Sequence, residues 1–179
     1  MSIIFFTNTA PEYRIPLFQE LSSTADISFV FTRLSLAKKI YGNEIDERKM
    51  NKINKLPLED GIKGFSQIKK WISDNDVNGV VIPPMDSFVE SIYAFWIFFL
   101  AHLHRKKIYF YWEKWEAPIE KQPLKKRIKN GLQRVVARII FRKADYCFGM
   151  GTKACEYFIK NGVKKEKCGI TYKSSLSPT

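Results

Sequence analysis

A chain of 179 residues with a hydrophobic fraction of 45% and a charged fraction of 27% can form one domain with an ordinary core, and it is neither disordered nor fibrous. Its net charge is +12. The excess lies in residues 91–179, which hold 19 basic and 6 acidic residues, against 11 and 12 in residues 1–90. The excess positive charge of residues 91–179 favours binding of an anionic partner, which could be nucleic acid, an acidic membrane or a phosphate-bearing ligand.

Cysteine and histidine usage argues against two kinds of site. Cys147, Cys155 and Cys168 are odd in number and lack CxxC spacing, so neither a disulfide framework nor a zinc site is indicated. With only His102 and His104 besides, we expect no metal centre. The N-terminus MSIIFFTN has no basic flank and no cleavage site. It is therefore not typical of a signal peptide, and a cytoplasmic location is the expectation.

In chain order, apolar runs at 3–7, 27–31, 79–82, 107–112 and 145–148 predict five strands, and 168–172 predicts a last one. Helical patterns follow Pro16 and occupy 64–73, 123–143 and the stretch from Thr152 to Asn161, while Asp86 or Ser87 is placed to cap a long helix reaching His104. Residues 33–60 give no clear pattern beyond a strand near position 56. Strands alternating with helices predict right-handed βαβ units, hence a doubly wound α/β domain with a mostly parallel sheet and helices on both faces.

Ligands of open α/β sheets bind beyond the carboxyl ends of the strands. The loops expected there are 8–14, 83–87, 113–116 and 149–152. In the first, Glu12, Tyr13 and Arg14 adjoin a helix start, where backbone N–H groups favour anions; the alternative is that Arg14 is a solvated surface charge. No GxGxxG or GxxxxGK[ST] follows the first strand, which argues against a nicotinamide dehydrogenase or a P-loop ATPase.

The segment YFYWEKWEA is the most unusual of these loops. It delivers Trp112, Glu113 and Glu116 at the end of a hydrophobic strand. Indole rings stack on sugars, and carboxylates accept hydrogen bonds from hydroxyls or act as bases. The alternative is that Trp112 packs in the core and the charges are merely exposed. Further along, Gly149 and Gly151 permit close backbone approach to a ligand, or simply form a tight connection.

Two surface features stand apart from these loops. Residues 121–143 contain nine basic residues and no acid. An apolar stripe is predicted to pack this helix on the sheet: Leu124, Ile128, Leu132, Val135 and Ile139. Its back is either solvated or a docking surface for anionic lipid, with these residues facing the membrane: Lys125, Lys126, Lys129 and Arg134. The run 92–103 is too short to cross a bilayer, so a helix buried against the sheet is expected, with partial membrane insertion as the alternative.

The opening IIFFTNTAPEYRIPLFQEL, with its P-x-Y-R-x-P-L-F core, resembles the start of bacterial family 4 glycosyltransferases of the GT-B fold. The segments KKIYFYWEKW and RKADYCFGMGTKACEYFIKNGVKKEKCGI are similar to later parts of that family. The resemblance covers residues 1 to about 173 in order. It implies that 1–173 is the N-terminal, acceptor-side Rossmann-like domain, that 174–179 begins an interdomain linker or tail, and that the C-terminal donor domain is absent from this chain.

The resemblance further implies a retaining, metal-independent transfer of a sugar from a nucleotide-sugar to a lipid-linked glycan acceptor, in capsule or cell-envelope polysaccharide synthesis at the inner face of the cytoplasmic membrane. No cofactor is expected, the donor being held mainly by the absent domain, and this half alone should be inactive. Glu113 is the expected catalytic residue. The residues expected to bind the acceptor are Glu12, Tyr13, Arg14, Asp86, Trp112 and Glu116. The residues expected to form the cleft loops are Asn8, Gly149, Gly151 and Thr152.

One departure from the family concerns the turn after the first strand. Many relatives carry Gly-Gly there, near the donor phosphates, whereas this chain has Asn8-Thr9-Ala10, which puts a phosphate role for the loop in doubt. Two other classes stay open. One is a non-catalytic basic module that binds nucleic acid or anionic membrane; the other is a small flavodoxin-like or nucleotide-binding protein, complete at this length.

Overall fold

The fold alternates strands and helices along the chain. The computed structural model describes residues 2–33, 47–112 and 124–171. The strands are β1 (Ser2–Thr7), β2 (Ile27–Phe31), β3 (Val77–Ile82), β4 (Lys107–Trp112), β5 (Tyr146–Gly149) and β6 (Cys168–Ile170). The helices are α1 (Ile15–Thr24), α2 (Glu47–Met50), α3 (Ile62–Ser73), α4 (Phe88–Leu103), α5 (Leu124–Lys143) and α6 (Thr152–Lys160). Two 3₁₀ turns occupy Glu12–Arg14 and Lys165–Lys167.

Neighbouring strands pair in parallel, β1 with β2 and β3, and β5 with β4 and β6. Two compact units are distinguished by their contacts, Met1–Ile108 and Tyr109–Thr179. The strand order is β2-β1-β3 in the first and β4-β5-β6 in the second. Because β1 is flanked on one side by β2 and on the other by β3, the chain winds in both directions from its first strand. The predicted doubly wound α/β class is confirmed.

Both faces of the first unit's strands are covered. Phe5 and its neighbour Phe29 face α1, where Phe18 lies with its ring centroid 4.8 Å from that of Phe29. Ile4 and Phe6 alternate to the opposite face and are also buried. A strand buried on both sides needs no polar alternation, which explains the continuous apolar run at the N-terminus. The expected strand near position 56 is only an isolated parallel bridge between Phe29 and Lys55.

Helices α3 and α4 contact each other and β3. Phe65 stacks on Tyr93 at 4.9 Å, and the indole N–H of Trp96 donates to the Phe65 carbonyl oxygen at 3.3 Å. Ser87 caps α4, as one of the two predicted residues, by accepting a hydrogen bond from the backbone N–H of Glu90 at 3.2 Å. The prediction that this helix is buried against the sheet is correct for one face only, since its other face is apolar and exposed.

The apolar stripe predicted for α5 is wrong at its two described positions, Val135 and Ile139, while the side chains of Leu124, Ile128 and Leu132 lie outside the described residues. Val135 is 55% exposed and Ile139 is 44% exposed. Among the described side chains of the helix, the buried ones are instead Gln133, Ala137, Ile140 and Phe141, followed by the buried Ala144 just after its end. A pattern of large apolar residues gives no weight to a small alanine, which lets the helix approach the sheet closely, or to a buried glutamine. Val135 and Ile139 were therefore assigned to the buried face although they are exposed.

The core of the second unit is aromatic. Phe110 of β4 meets Phe141 of α5 edge-on at 5.0 Å and Phe158 of α6 at 5.9 Å. Aromatic rings in such T-shaped pairs stabilise the folded chain by more than the burial of their surface alone would. These contacts fix α5 and α6 against β4 and β5, and so determine where the loops at the carboxyl ends of those strands begin.

Candidate functional site

The order β2-β1-β3 creates a crevice at the carboxyl ends of β1 and β3. The chain leaves β1 toward β2 on one side and returns to β3 on the other, and ligands of open α/β sheets bind at such a reversal. The loops 8–14 and 83–87 follow these two neighbouring strands. Two of the four loops predicted to carry the site therefore lie side by side, and both belong to the first unit.

Arg14 is a buried residue of the loop that follows β1. The 3₁₀ turn Glu12–Arg14 runs directly into α1, and Arg14 is only 9% exposed, so its interpretation as a solvated surface charge is wrong. Its guanidinium carbon lies 5.4 Å from the ring centroid of Tyr13, which is half exposed. A cation over an aromatic face is stabilised by the ring quadrupole. The loop thus presents a tyrosine ring outward with an arginine held behind it.

Glu12 stands at the rim. Its carboxylate is 2.5 Å from the ammonium of Lys49, and both side chains are largely exposed. An exposed pair of this kind adds little to stability. Glu12 is therefore an exposed residue of the loop that follows β1, and its acceptor-binding role stays a prediction.

A second charged feature is the pair formed by Arg33, two residues after β2, and Glu90 of α4. Arg33 donates from Nη1 to the Ser87 hydroxyl at 3.2 Å and lies 3.4 Å from Glu90 Oε1. Glu90 is 6% exposed, and its other oxygen, Oε2, is buried without a hydrogen-bond partner among the described groups. Burying a carboxylate costs desolvation free energy that a neighbouring arginine offsets only in part, so such a pair is a candidate for a functional site. This pair was missed by sequence reasoning.

Asn8 and Asp86 flank that pair. The backbone N–H of Arg33 donates to the Asn8 carbonyl at 2.8 Å, and Thr32 N–H donates to Thr7 at the same distance, so the end of β2 is tied to the end of β1. Asp86 is exposed in the loop that follows β3. The first unit therefore gathers five of the predicted site residues at one edge: Asn8, Glu12, Tyr13, Arg14 and Asp86.

The second unit holds the other described predictions. Trp112 is buried, with its ring 5.6 Å from Phe110 and 5.8 Å from Tyr157. A Cβ on Gly149 would lie 2.9 Å from the Cys155 backbone nitrogen, so this glycine permits close packing of α6 on β5. Gly151 has φ +96°, a conformation that favours glycine, and Thr152 is the exposed first residue of α6. Local packing thus accounts for these residues, and their ligand roles stay predictions.

Several predicted residues cannot be placed. Glu113 and Glu116 lie outside the described residues, as do the side chains of Lys125, Lys126 and Lys129. Arg134 lies on α5 and is partly buried. Their catalytic, acceptor-binding and membrane-facing roles stay predictions.

The structure brings together two cysteines that sequence spacing does not link. Cys168 Sγ lies 2.8 Å from Cys155 Sγ, and Cys155 contacts the Gly169 carbonyl oxygen at 3.3 Å. Burial, with a smaller contribution from Cys155, raises the pKa of Cys147 to about 12. Burial and the hydrogen bond with Cys155 also raise the pKa of Cys168. Thiols in that state are poor nucleophiles at neutral pH. Over the described residues, no group of three His, Cys, Asp or Glu side chains is arranged to hold a metal ion.

No protein-family model matches the chain, and no curated protein matches its sequence. Solved structures do match its fold. Anabaena Alr3699/HepE in complex with UDP-glucose superposes with a TM-score of 0.62 at 9% identity, over 97% of this chain and 44% of that one. The fold is Rossmann-like, of the GT-B type. The S. aureus MnaA–UDP co-structure gives 0.55 at 16% identity, over 96% and 45%.

A third similar structure is UDP-GlcNAc 2-epimerase from Neisseria meningitidis bound to UDP-GlcNAc, with a TM-score of 0.53 at 13% identity, over 96% of this chain and 46% of that one. At these identities the similarity concerns the fold alone. The chain spans slightly less than half the length of each of the three proteins. The GT-B part of the resemblance noted from sequence is thereby supported, while assignment to family 4 stays a proposal.

Proposed function

We propose that this chain is the acceptor-side half of a nucleotide-sugar-dependent glycosyltransferase. The observation that carries the proposal is the crevice at the β1/β3 reversal, where Arg14 and Glu90 are buried at the edge at which α/β proteins bind ligands. A GT-B fold shared with a protein solved with UDP-glucose supports it. Family 4 membership, a lipid-linked acceptor and a place in bacterial surface polysaccharide synthesis are the finer parts of the proposal.

The residues divide the chemistry between them. Sugar hydroxyls donate hydrogen bonds to carboxylates, which Glu12 and Asp86 supply in the crevice, while arginine guanidinium groups suit phosphate oxygens. Glu113 follows β4 directly in sequence, and we assign it the role of accepting the acceptor hydroxyl proton. Because the chain spans 44% of the HepE chain, we expect it to bind the acceptor but not to complete a turnover, since groups that stabilise the leaving diphosphate belong to the rest of such an enzyme.

A matched pair of aspartates tests acceptor binding. Asp86 follows β3 at the crevice, whereas Asp76 immediately precedes the same strand and is exposed at the opposite end. Saturation-transfer NMR with octyl β-D-glucoside and octyl β-D-galactoside should show binding by the native chain and by the Asp76→Asn variant. In Asp86→Asn the Kd should rise about tenfold, the effect of one charge-assisted hydrogen bond of roughly 1.5 kcal/mol.

The outcome that contradicts acceptor binding is equal affinity of all three proteins, or no saturation transfer to either glycoside. A steep salt dependence of binding to duplex or single-stranded nucleic acid would favour the non-catalytic basic module instead. Stoichiometric uptake of a mononucleotide by the isolated chain would favour a self-contained nucleotide-binding protein.

The Glu113 role is tested in a protein that contains both halves. Replacement by Gln removes the proton acceptor but keeps the size of the side chain, so kcat/KM should fall about a hundredfold or more, the usual effect of losing a general base. Unchanged kcat/KM would remove Glu113 from the site. Glu166→Gln, on an exposed 3₁₀ turn, serves as the matched control.

A second candidate is an enzyme that epimerises a nucleotide-sugar. The observation in its favour is the fold similarity to the N. meningitidis UDP-GlcNAc 2-epimerase. Product analysis of the two-half protein separates the two reactions. A glycosyltransferase given UDP-glucose and octyl glucoside yields a disaccharide glycoside and UDP, whereas an epimerase given UDP-GlcNAc yields its C2 epimer without any acceptor.

A further inference from the structure

The exposed side of α4 carries almost only apolar side chains. Seven of its sixteen residues are exposed, and the one polar member is His102. The others range from 43% to 62% exposed and define the α4 apolar face: Phe88, Val89, Ile92, Phe95, Phe99 and Leu103. Its one acidic residue, Glu90, is buried and points away from this face toward Arg33. The helix is thus apolar on both sides, although only one side packs within the first unit.

The size of this face is unusual for a protein surface. Six side chains of roughly 150–200 Å² each, about half exposed, leave on the order of 500 Å² of apolar surface, at the upper end of what a soluble monomer shows. Five of them recur at i, i+4, i+7, i+11 and i+15, so the face runs the whole length of a helix of about 24 Å. A patch of this extent marks a docking surface rather than scattered exposure.

One end of the face is basic. Arg105, Lys106 and Lys107 follow His104, the residue after α4, and Lys106 Nζ donates to the Asp74 carbonyl oxygen at 2.6 Å. That contact places the end of α4 beside the end of α3, where Lys69 and Lys70 are exposed. Two carboxylates, Asp74 and Asp76, lie at the same end, so the five cations exceed the acids by three.

We propose that the α4 apolar face docks on an anionic lipid bilayer, with α4 lying in the plane of the headgroups. A helix that lies in a membrane interface needs a row of apolar side chains and cations beside it. The apolar row enters the boundary of the acyl chains, and the lysine and arginine side chains contact lipid phosphates. The helix does not cross the bilayer: within the part of the chain that the structure describes, no helix is long and apolar enough to do so. This surface differs from the α5 lysines predicted to face the membrane, and it develops the alternative of partial membrane insertion that the sequence offered for 92–103.

Vesicle sedimentation of the 179-residue chain tests the proposal. The native chain should pellet with vesicles of phosphatidylcholine and phosphatidylglycerol in equal parts, and more weakly with phosphatidylcholine alone. Phe95→Ser combined with Phe99→Ser should lower the partition coefficient about tenfold or more, because both rings lose their burial in the acyl region. Ile159→Ser, an exposed isoleucine on α6 in the second unit, should leave it unchanged. Lys69→Gln should weaken only the anionic binding, on the order of fivefold, and added salt should act in the same direction.

Fluorescence of the native chain keeps the test independent of variant folding. Trp96 is half-buried next to the face, 6.1 Å from Phe99. Vesicles with brominated acyl chains should quench its emission, and Trp96→Phe should abolish most of that quenching. The proposal is overturned if the native chain stays in the supernatant with both vesicle types, or if the double serine variant pellets like the native chain. It is also overturned if that variant turns a dimer into a monomer in sedimentation velocity without vesicles, which would assign the face to a second copy of the chain.

Discussion

The contact between Arg33 and Glu90 offers the sharpest test of the crevice. At 3.4 Å and an effective dielectric constant of about 20, the gross attraction is about 5 kcal/mol. Desolvation removes much of it, leaving a coupling of roughly 1–3 kcal/mol. The Glu90 side chain is 8% exposed and that of Arg33 is 27% exposed, so the two single variants should differ in cost.

Removing the arginine strands a buried carboxylate, whereas replacing the carboxylate by an amide keeps an acceptor for Arg33. We therefore expect Arg33→Met to cost about 2–3 kcal/mol of unfolding free energy and Glu90→Gln about 1 kcal/mol. Urea unfolding of both variants and the double variant, followed by far-UV circular dichroism, measures the cycle. Lys49→Met breaks the exposed pair with Glu12 and should cost less than about 0.5 kcal/mol. Equal costs for Arg33→Met and Lys49→Met, or the reverse order within the pair, would refute the reasoning.

Three further predictions concern the second unit. Gly149→Ala should lower the free energy of unfolding by about 1–3 kcal/mol, because the new Cβ meets the backbone of α6. Gly151→Ala meets no atom and should cost about 1–2 kcal/mol through the positive φ alone. A thermal melt of Gly149→Ala that matches that of the native chain would contradict the packing. Burial raises the pKa of Cys147 from an ordinary 9.0 to about 12, so the contribution of its protonated thiol to stability is complete below pH 9 and is lost as pH rises toward 12. Urea unfolding across that range should show a smaller loss of unfolding free energy for Cys147→Ala than for the native chain. Iodoacetamide at neutral pH should label Cys168 slowly because its pKa is raised, and labelling as fast as that of the urea-unfolded chain would exclude the contact with Cys155.

Local patterning was sufficient to predict the strand and helix alternation. The strand 107–112 was predicted at its observed bounds, and Ser87 is one of the two residues expected as the cap, because apolar runs and caps are encoded within a few residues. The doubly wound class followed from their order. The face of α5 was not predicted by the same means: beside Ile140 and Phe141 it buries Ala137 and Gln133, which a search for large apolar residues overlooks.

The site was predictable only in part. The loops after β1 and β3 were identified because ligand position follows from topology. Glu90 could have been noticed from the Ser87-x-x-Glu90 capping pattern, but its pairing with Arg33 joins positions 57 residues apart and leaves no local signal. The approach of Cys155 to Cys168 is of the same kind, set by the packing of α6 beside β6.

The position of α4 relative to β3 has a consequence for how a recipient sugar would arrive. Five residues separate the end of the strand from the start of the helix, so the first turn of the helix borders the crevice and Leu103 lies at the far end. If the protein docks on a bilayer through the α4 apolar face and binds a lipid-linked acceptor, as we propose, the crevice mouth would lie beside the membrane surface. A glycan tethered to a lipid could then reach Asp86 by sliding within the membrane, a search in two dimensions in which the lipid never leaves the bilayer.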